Sequence, residues 1–185
     1  MNCEDMVKIP ELENVLLLRA GAGGMKNIVR WIYFADCLQC VQSEYEVEDY
    51  IHGGEFVIVT NRSVTDNKDT LIELIGKMLA HGISALRINE GQISDELIQY
   101  ADENDLPLVE LPEKYPLIDL SQILCNKLVL EENNKNLEEQ LFTSILDSEH
   151  LNRESILAQA RYLNVDLSGG FCVVEFALKA AQNQN

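Results

Sequence analysis

Short apolar runs alternate with segments of helical periodicity over the first two-thirds of the chain. Five runs are rich in aliphatic, β-branched or aromatic residues and are bounded by glycine, proline or polar residues, which is typical of buried strands. These runs are residues 14–20, 28–35, 55–60, 83–88 and 106–111. Because such strands alternate with helices, the pattern predicts an α/β fold with a mainly parallel sheet flanked by helices.

Two helices between the later strands have recognisable ends. Asp66 or Asn67 is placed to cap the first helix, and Gly82 follows His81 where a left-handed residue often ends a helix. The apolar positions of this helix recur at spacings of three and four, as in a helix with one buried face: Leu71, Leu74, Ile75, Met78 and Leu79. Ser94 is placed to cap the second helix, whose first turn carries two carboxylates that the helix dipole favours.

A long helical pattern begins at Leu117. Further along it, Leu137, Leu141 and Ile145 form an apolar stripe at four-residue spacing, in a region with little else to cover them. We therefore predict a homodimer through the helix at residues 128–146. The alternative is a helix that packs on its own domain at one end and is solvated at the other.

The patterns predict an α/β domain at residues 1–116, a helical connector at 117–150 and the beginning of a second, incomplete domain at 151–185. The last part rests on a helical stretch at residues 153–163 and one strand-like run at 170–176. A lone strand with no partner sequence after it cannot complete its hydrogen bonds, so the chain is expected to stop inside that domain.

The charge balance narrows the classes of partner. The 185 residues include 14 basic and 31 acidic side chains, a formal net charge of −17. Nucleic acids and anionic membranes are bound through accumulated lysine and arginine, so this chain alone is not expected to bind DNA or a membrane. Eight carboxylates and no basic residue lie between Arg87 and Lys114, which predicts a solvated face or, alternatively, a docking surface for a basic partner.

The N-terminus and the cysteines predict a cytoplasmic protein. The first residues lack the positive start and apolar run of a secretory signal, and no apolar stretch has the length of a membrane span. Five cysteines are an odd number, so free thiols in a reducing compartment are expected rather than a full disulfide framework.

Cys37 and Cys40 are the sharpest chemical candidate, because two cysteines at this spacing after a strand occur in thiol-redox sites. The other readings are ordinary half-buried thiols and a metal site. Zinc would need four ligands, and the remaining cysteines and histidines form no second pair. The glycines at 21, 23 and 24 precede a strand rather than a helix, so they predict a plain turn and not a dinucleotide loop. No catalytic residue, metal or cofactor is predicted.

A candidate ligand site follows from the predicted parallel sheet. Ligands of such sheets collect at the carboxyl ends of the strands. The third strand ends at Thr60, Asn61 and Arg62 follow it, and Arg87 lies near the end of the fourth strand. We expect these four residues to bind a small polar metabolite, and the two arginines favour an anionic group. The alternative is that they are solvated loop residues.

Three segments carry a resemblance to a known family: residues 20–24 with 29–32, residues 50–60 with their Gly-Gly-Glu sequence, and residues 101–112 with Ala-Asp near the start and Leu-Pro at the end. Together with the helix from Leu117, they resemble the N-terminal domain of the purine-catabolism-regulator-like (PucR-like) family. The resemblance runs from Leu12 through Val129. Residues 158–174 resemble the opening of the GGDEF-like middle domain of such regulators.

The resemblance implies a ligand-sensing regulatory domain of a transcription regulator, with the DNA-binding part absent from this chain. The sequence departs from the family pattern after Thr60, where relatives carry a small pair, and at Cys37 and Cys40, which occupy a usually polar stretch. A thiol-redox protein using Cys37 and Cys40 and an acidic protein-docking module are the competing hypotheses.

Overall fold

A computed structural model describes residues 1–36, 49–147 and 153–167. The chain divides into two compact units, Met1–Glu131 and Glu132–Asn185. This division falls within a single long helix, inside the predicted connector. The predicted domain boundaries at residues 116 and 150 stay predictions.

The strands of the first unit are β1 (Leu17–Ala20), β2 (Trp31–Phe34), β3 (Glu55–Val59), β4 (Ala85–Asn89) and β5 (Leu108–Leu111). Its helices are α1 (Cys3–Val7), α2 (Arg62–Thr65), α3 (Lys68–Ala80), α4 (Asp95–Glu103) and the start of α5 (Leu117–Asp147), with a 3-10 helix at Ala22–Lys26. In the second unit α5 continues, and α6 (Arg153–Tyr162) is the other described helix.

The five strands form one sheet in the order β1-β5-β4-β3-β2. Strands β2, β3, β4 and β5 run parallel to one another, and β1 is added at the β5 edge, antiparallel to β5. The prediction of a mainly parallel α/β sheet flanked by helices and followed by a long helix is therefore confirmed. Every residue of β3, β4 and β5 is buried, which explains their nearly unbroken apolar sequences.

Each face of the sheet carries its own hydrophobic core. On the face covered by α3 and α4, Leu86 and Ile88 of β4 belong to the same cluster as Leu74 and Leu97. On the opposite face, Ala85 belongs to a cluster with residues of α1 and of the first turns of α5: Cys3, Met6, Leu120 and Leu124. We call this second surface the α5 face. Because successive strand side chains point to opposite faces, Arg87 lies on the same side of β4 as Ala85, the α5 face.

The predicted helix ends are confirmed. The side chain of Asn67 accepts a hydrogen bond of 3.3 Å from the amide of Thr70, so Asn67 rather than Asp66 caps α3. That helix ends at Ala80 with His81 as its C-cap, and Gly82 follows with φ +86°. Ser94 Oγ accepts a bond of 3.2 Å from the amide of Leu97 and caps α4. These caps satisfy amides that have no partner inside the helix.

The first strand begins later than its sequence predicted. Residues 14–16 were expected to be extended, but the amides of Val15 and Leu16 donate to the carbonyl oxygen of Leu12 at 2.9 and 2.8 Å, and β1 starts at Leu17. Leu16 is buried in the core of the α5 face. The apolar run therefore contains a buried turn followed by a short edge strand, a distinction that hydrophobicity alone does not make.

In the second unit, the end of α5 and α6 enclose a cleft of about 310 Å³. Its lining residues are Leu137, Gln140, Ser144, Ala158, Gln159, Tyr162 and Leu163. Leu141 of the predicted dimer stripe is fully buried, whereas Leu137 remains 39% exposed. The strand-like run at residues 170–176 lies outside the described residues. A membrane span would need a longer apolar helix than any that the described part of the chain contains.

Candidate functional site

The parallel strands β2, β3 and β4 end at one edge of the sheet, and each end is marked by a polar residue. Asp36 lies just beyond β2, Thr60 follows β3, and Asn89 is the last residue of β4. Carboxyl edges of parallel sheets are where ligands of α/β proteins bind, because the strands stop there and the connecting loops diverge. We call this region the carboxyl edge.

The carboxylate of Asp36 joins the ends of β2 and β3. It accepts hydrogen bonds from the backbone amide of Thr60, from Thr60 Oγ1 at 2.6 Å and from the amide of Asn61 at 2.9 Å. The side-chain amide of Asn61 donates in return to the carbonyl oxygen of Asp36 at 3.0 Å. Thr60 and Asn61, predicted as ligand-site residues, are thus held in fixed positions by a carboxylate that the sequence analysis did not select.

A second set of bonds extends this network from β4. Asn89 Nδ2 donates to the carbonyl oxygen of Thr60 at 2.9 Å and to Gln92 Oε1 at 3.3 Å. Thr65 Oγ1 donates to the same Gln92 oxygen at 3.1 Å. Gln92 Nε2 is buried and has no hydrogen-bond partner among the described residues. The network therefore leaves one amide donor unused, although the same side chain's oxygen is shared by two donors.

Arg87 is the largest fully buried side chain of the described chain, with 1% of its surface exposed. Its Nη1 donates to the carbonyl oxygen of Val59 at 3.4 Å, and its Nε has no acceptor. Burial lowers the pKa of the Arg87 guanidinium to about 10, while the nearby charge of Asp36 acts in the opposite direction. The guanidinium remains a cation at neutral pH, and its hydrogen bonding is incomplete.

Arg62 differs from the other predicted site residues. It begins α2, its side chain is exposed, and its guanidinium lies 3.7 Å from a carboxylate oxygen of Glu113, which is also exposed. Ion pairs of this kind contribute little to stability and leave the cation accessible to solvent. Of the four predicted residues, Thr60 and Asn61 are therefore hydrogen-bonded to Asp36. Arg87 is buried near the strand ends, where the charge of Asp36 acts on it. Arg62 lies apart from these residues on the surface.

The profile of the purine catabolism regulatory protein-like family matches residues 5–128. The chain belongs to this family. The match covers the last three residues of α1, the whole sheet and the first turns of α5. It ends before residues 158–174, so it does not extend to the predicted GGDEF-like segment.

A curated relative of this family is the "Purine catabolism regulatory protein" of Bacillus subtilis (strain 168), which is 28% identical over 155 residues. The aligned part is 82% of this chain but 28% of that protein. The chain therefore spans just over a quarter of the length of the curated relative. An alignment of 155 residues cannot fit within the first 128, so the similarity continues beyond the family match.

Two of the segments that resemble the family contact each other. Gly21 N donates to Asp102 Oδ1 at 2.6 Å. A Cβ atom on Gly21 would lie 1.8 Å from the carbonyl oxygen of Leu106, and one on Gly24 would lie 1.9 Å from that of Asp105. Because glycine has no Cβ atom, the 3-10 helix can pack in close contact with the loop that joins α4 and β5. The role of these glycines in the described structure is close packing, and the segment predicted as a plain turn forms the 3-10 helix at Ala22–Lys26.

The Gly-Gly-Glu segment lies where β3 begins, at the end of the strands opposite to the carboxyl edge. Glu55 is buried, and its carboxylate accepts bonds from the amides of His52 at 2.7 Å and Gly53 at 3.0 Å. Gly54 donates to the carbonyl oxygen of Gly82 at 2.8 Å. The Glu55 bonds fix the turn before β3, and the Gly54 bond fastens that turn to the end of α3. Gly21, Gly24 and Glu55, in segments that resemble the family, therefore support the fold, whereas the candidate site lies at the carboxyl edge.

The described cysteines differ in accessibility. Cys3 is buried, its thiol donates to the carbonyl oxygen of Ser84 at 3.5 Å, and burial raises its pKa to about 11. Cys125 is exposed on α5. Cys37 and Cys40 lie outside the described residues, so their redox role stays a prediction. In the parts of the chain that the structure describes, no three potential metal ligands cluster.

Several carboxylates of the acidic stretch between Arg87 and Lys114 have partners within the first unit. Glu110 pairs with Arg19 and accepts a bond from the amide of Gly91 at 3.2 Å. Glu96 lies 3.0 Å from the ammonium of Lys68. Part of the stretch therefore stabilises the fold, and docking of a basic partner stays a prediction.

Proposed function

We propose that this chain is the ligand-sensing part of a transcription regulator, and that it binds a small polar metabolite at the carboxyl edge. Membership of the purine catabolism regulatory protein-like family supports the regulatory role. The observation that carries the ligand site is a buried cation, Arg87, with an unused donor beneath an edge of polar side chains. Thr60, Asn61 and Arg62 complete the proposed site. Its role is binding rather than catalysis.

The name of the Bacillus subtilis relative suggests the source of the ligand. We propose purine breakdown products and small organic acids as candidates. The side chains at the edge suit such ligands, because amides, hydroxyls and a guanidinium can orient a compact molecule that carries several oxygen and nitrogen atoms.

The helix α5 is the element through which we propose that ligand occupancy is transmitted. It begins six residues after β5 ends, and its buried Leu120 and Leu124 belong to the core of the α5 face, the side on which Arg87 lies. A ligand that changes the packing under the carboxyl edge therefore acts on a face that the helix covers. Beyond Leu124 the helix continues to Asp147.

Other parts of the signalling route lie outside this chain in our proposal. DNA binding belongs to a part of the full-length protein that this chain does not include, because the chain carries a net charge of −17 and spans 28% of its curated relative. We also propose that residues 151–185 begin a GGDEF-like domain. Alignment beyond residue 128 supports continuity with the relative but does not identify that domain.

We further propose a homodimer through the helix at residues 128–146. Leu130 and Leu137 lie seven residues apart on α5 and are 60% and 39% exposed. Seven-residue spacing places side chains on one side of a helix that pairs with another helix. Leu141 is already buried, so it cannot offer the same surface to a second copy.

A thermal-shift screen tests the ligand-sensing function. The library contains purine breakdown products and small organic acids at a millimolar concentration. A ligand present at about 100 times its dissociation constant adds roughly 2.7 kcal/mol to the free energy of unfolding. In a domain of this size the melting temperature should rise by about 4 °C or more. A library without any such compound would contradict the proposal.

The same screen locates the site. Arg87→Met and Arg62→Ala should reduce or abolish the shift caused by a hit, because each removes a cation from the proposed site. Lys77→Gln is the matched control, since Lys77 is an exposed cation on α3 that pairs with Glu73. A shift that persists undiminished in both arginine variants would place the ligand elsewhere.

A further inference from the structure

Arg87 is a buried cation whose hydrogen bonding is incomplete. Buried charges are normally paired and fully hydrogen-bonded, because leaving water is costly for an ion. Among the described residues Arg87 has one hydrogen bond, to the neutral carbonyl of Val59 at 3.4 Å, and Nε donates to nothing. The arrangement leaves the cation short of one acceptor.

Asp36 is the acidic residue whose charge acts on Arg87, but its carboxylate is already occupied. It accepts two backbone amides and the hydroxyl of Thr60, so its oxygens serve to join β2 to β3. Among the described residues, neither Asp36 nor any other acceptor is hydrogen-bonded to Arg87 Nε. The negative charge at the edge thus compensates the guanidinium from a distance without satisfying its Nε.

We propose that the ligand is recognised through a single planar monoanion, a carboxylate, bound by the Nε side of the Arg87 guanidinium. This inference rests on the proposed ligand site at the carboxyl edge. Guanidinium groups bind carboxylates with two parallel N–H···O bonds, which match the two oxygens in spacing and in plane. Since Nη1 is directed to Val59, the Nε side is the edge of the guanidinium with an unused donor.

The charge of the surroundings limits the ligand to one negative charge. Arg87 supplies one buried cation, Asp36 contributes a negative charge nearby, and Arg62 is paired with Glu113 on the surface. A phosphate dianion would bring a second negative charge that no buried cation neutralises, next to Asp36 and in a chain of net charge −17. The site therefore favours a carboxylate over phosphate.

Gln92 supplies a second donor for the uncharged part of the ligand. Its Nε2 is buried without a partner, while its oxygen is held by Asn89 and Thr65. The amide orientation is thus fixed by two bonds to Oε1, and Nε2 has to point away from them. An adjacent carbonyl or hydroxyl oxygen of a small acid suits such a donor.

Nuclear magnetic resonance of the full chain tests the inference with three probes: acetate, acetamide and inorganic phosphate. The observed signal is the Nε–H resonance of Arg87, assigned by its loss in Arg87→Lys. The probes are added up to about 0.1 M, which covers dissociation constants of 1 mM and weaker, with ionic strength held constant by sodium chloride. Acetate should shift the resonance saturably, acetamide should not, and phosphate should bind at least tenfold more weakly. An unmoved resonance with acetate, or equal binding of phosphate, overturns the inference.

Variants provide a second readout that does not depend on that resonance. Arg87→Met should abolish acetate-induced shifts at the side-chain amides of Asn89 and Gln92, whereas Lys77→Gln should retain them. The unliganded melting temperature of Arg87→Met should be equal to or higher than that of the original protein, because an apolar side chain of similar length replaces an unpaired buried charge. Acetate-induced shifts that survive in Arg87→Met count against the inference.

The outcomes separate this inference from the proposed function. A metabolite that raises the melting temperature equally in Arg87→Met leaves ligand sensing supported and removes the carboxylate–Arg87 contact. Saturable acetate binding at Arg87, with no stabilising metabolite in the library, supports the contact and counts against the proposed metabolite class.

Discussion

The carboxylate of Asp102 accepts a hydrogen bond of 2.6 Å from the backbone amide of Gly21, 81 residues earlier in the chain. Asp102 belongs to the last turn of α4, and Gly21 directly follows β1. The bond fastens the antiparallel edge strand, whose one neighbour among the described strands is β5, to a helix on the α3–α4 side of the sheet. It connects two of the segments that resemble the family and gives the acidic residue in one of them a structural role. The glycine in the other is required for a different reason: its φ is +71°, and a Cβ atom there would lie 1.8 Å from the carbonyl oxygen of Leu106.

Asp102→Ala should lower the free energy of unfolding by about 1–2 kcal/mol, because the amide of Gly21 loses a charged acceptor. Urea unfolding followed by circular dichroism measures the change. Glu103→Ala is the control, since Glu103 is exposed and bonds only to the side chain of Gln99 in the described structure. It should change the value by less than about 0.5 kcal/mol. Equal effects of the two substitutions would argue against a specific role for Asp102.

Gly24→Ala should destabilise the first unit more strongly than Asp102→Ala. The added Cβ would lie 1.9 Å from the carbonyl oxygen of Asp105, and a backbone atom cannot move aside as a flexible side chain can. Overpacking of this kind costs on the order of 3 kcal/mol. Ala22→Ser alters the same 3-10 helix at an exposed position and should be nearly neutral. Thermal unfolding of both variants checks the comparison, and a neutral Gly24→Ala would refute it.

Cys3 should react with iodoacetamide far more slowly than Cys125. Burial raises the pKa of the Cys3 thiol from 9.0 to about 11, which reduces the reactive thiolate about 100-fold at neutral pH, and the buried position excludes the reagent as well. Mass spectrometry of peptides after timed labelling separates the two residues. In denaturant the difference should disappear. Fast native labelling of Cys3 would show that α1 does not stay packed on the sheet.

Burial of the Cys3 thiol should make the free energy of unfolding depend on pH. Its folded pKa is higher than its unfolded pKa, so the folded state holds the proton more tightly and burial of the neutral thiol stabilises it fully below pH 9. That contribution is lost as the pH rises from 9.0 to about 11. Urea unfolding of the original protein and Cys3→Ala across this range should show the two curves converging. Parallel curves would contradict the expectation.

Leu130→Glu combined with Leu137→Glu should convert the proposed dimer to a monomer of 20.9 kDa, because charges on an exposed apolar line oppose helix pairing. Light scattering at tens of micromolar protein measures the mass. Leu141→Ala tests a different property: Leu141 is fully buried, so its truncation should lower stability by about 2–5 kcal/mol. A monomeric original protein would end the dimer proposal.

The sequence alone determined the elements whose signals are local. Both ends of α3 and the start of α4 were predictable, because an Asn or Ser cap and, for α3, a glycine after the helix act within a few residues of the helix end. The strands β3 and β4 were predictable because strands covered on both faces have continuous apolar sequences. Thr60 and Asn61 could be assigned to the carboxyl edge once the sheet was expected to be parallel.

Only the tertiary structure decided how those elements satisfy one another. The engagement of Asp36 by Thr60, the antiparallel pairing of β1 and the burial of Leu141 depend on contacts between distant parts of the chain. Arg87 illustrates the reason: its position in β4 followed from sequence, but its missing acceptor follows from which strands and helices surround it. Local periodicity specifies which side chains share a face, whereas long-range packing determines what that face meets, and therefore which polar groups are left without a partner.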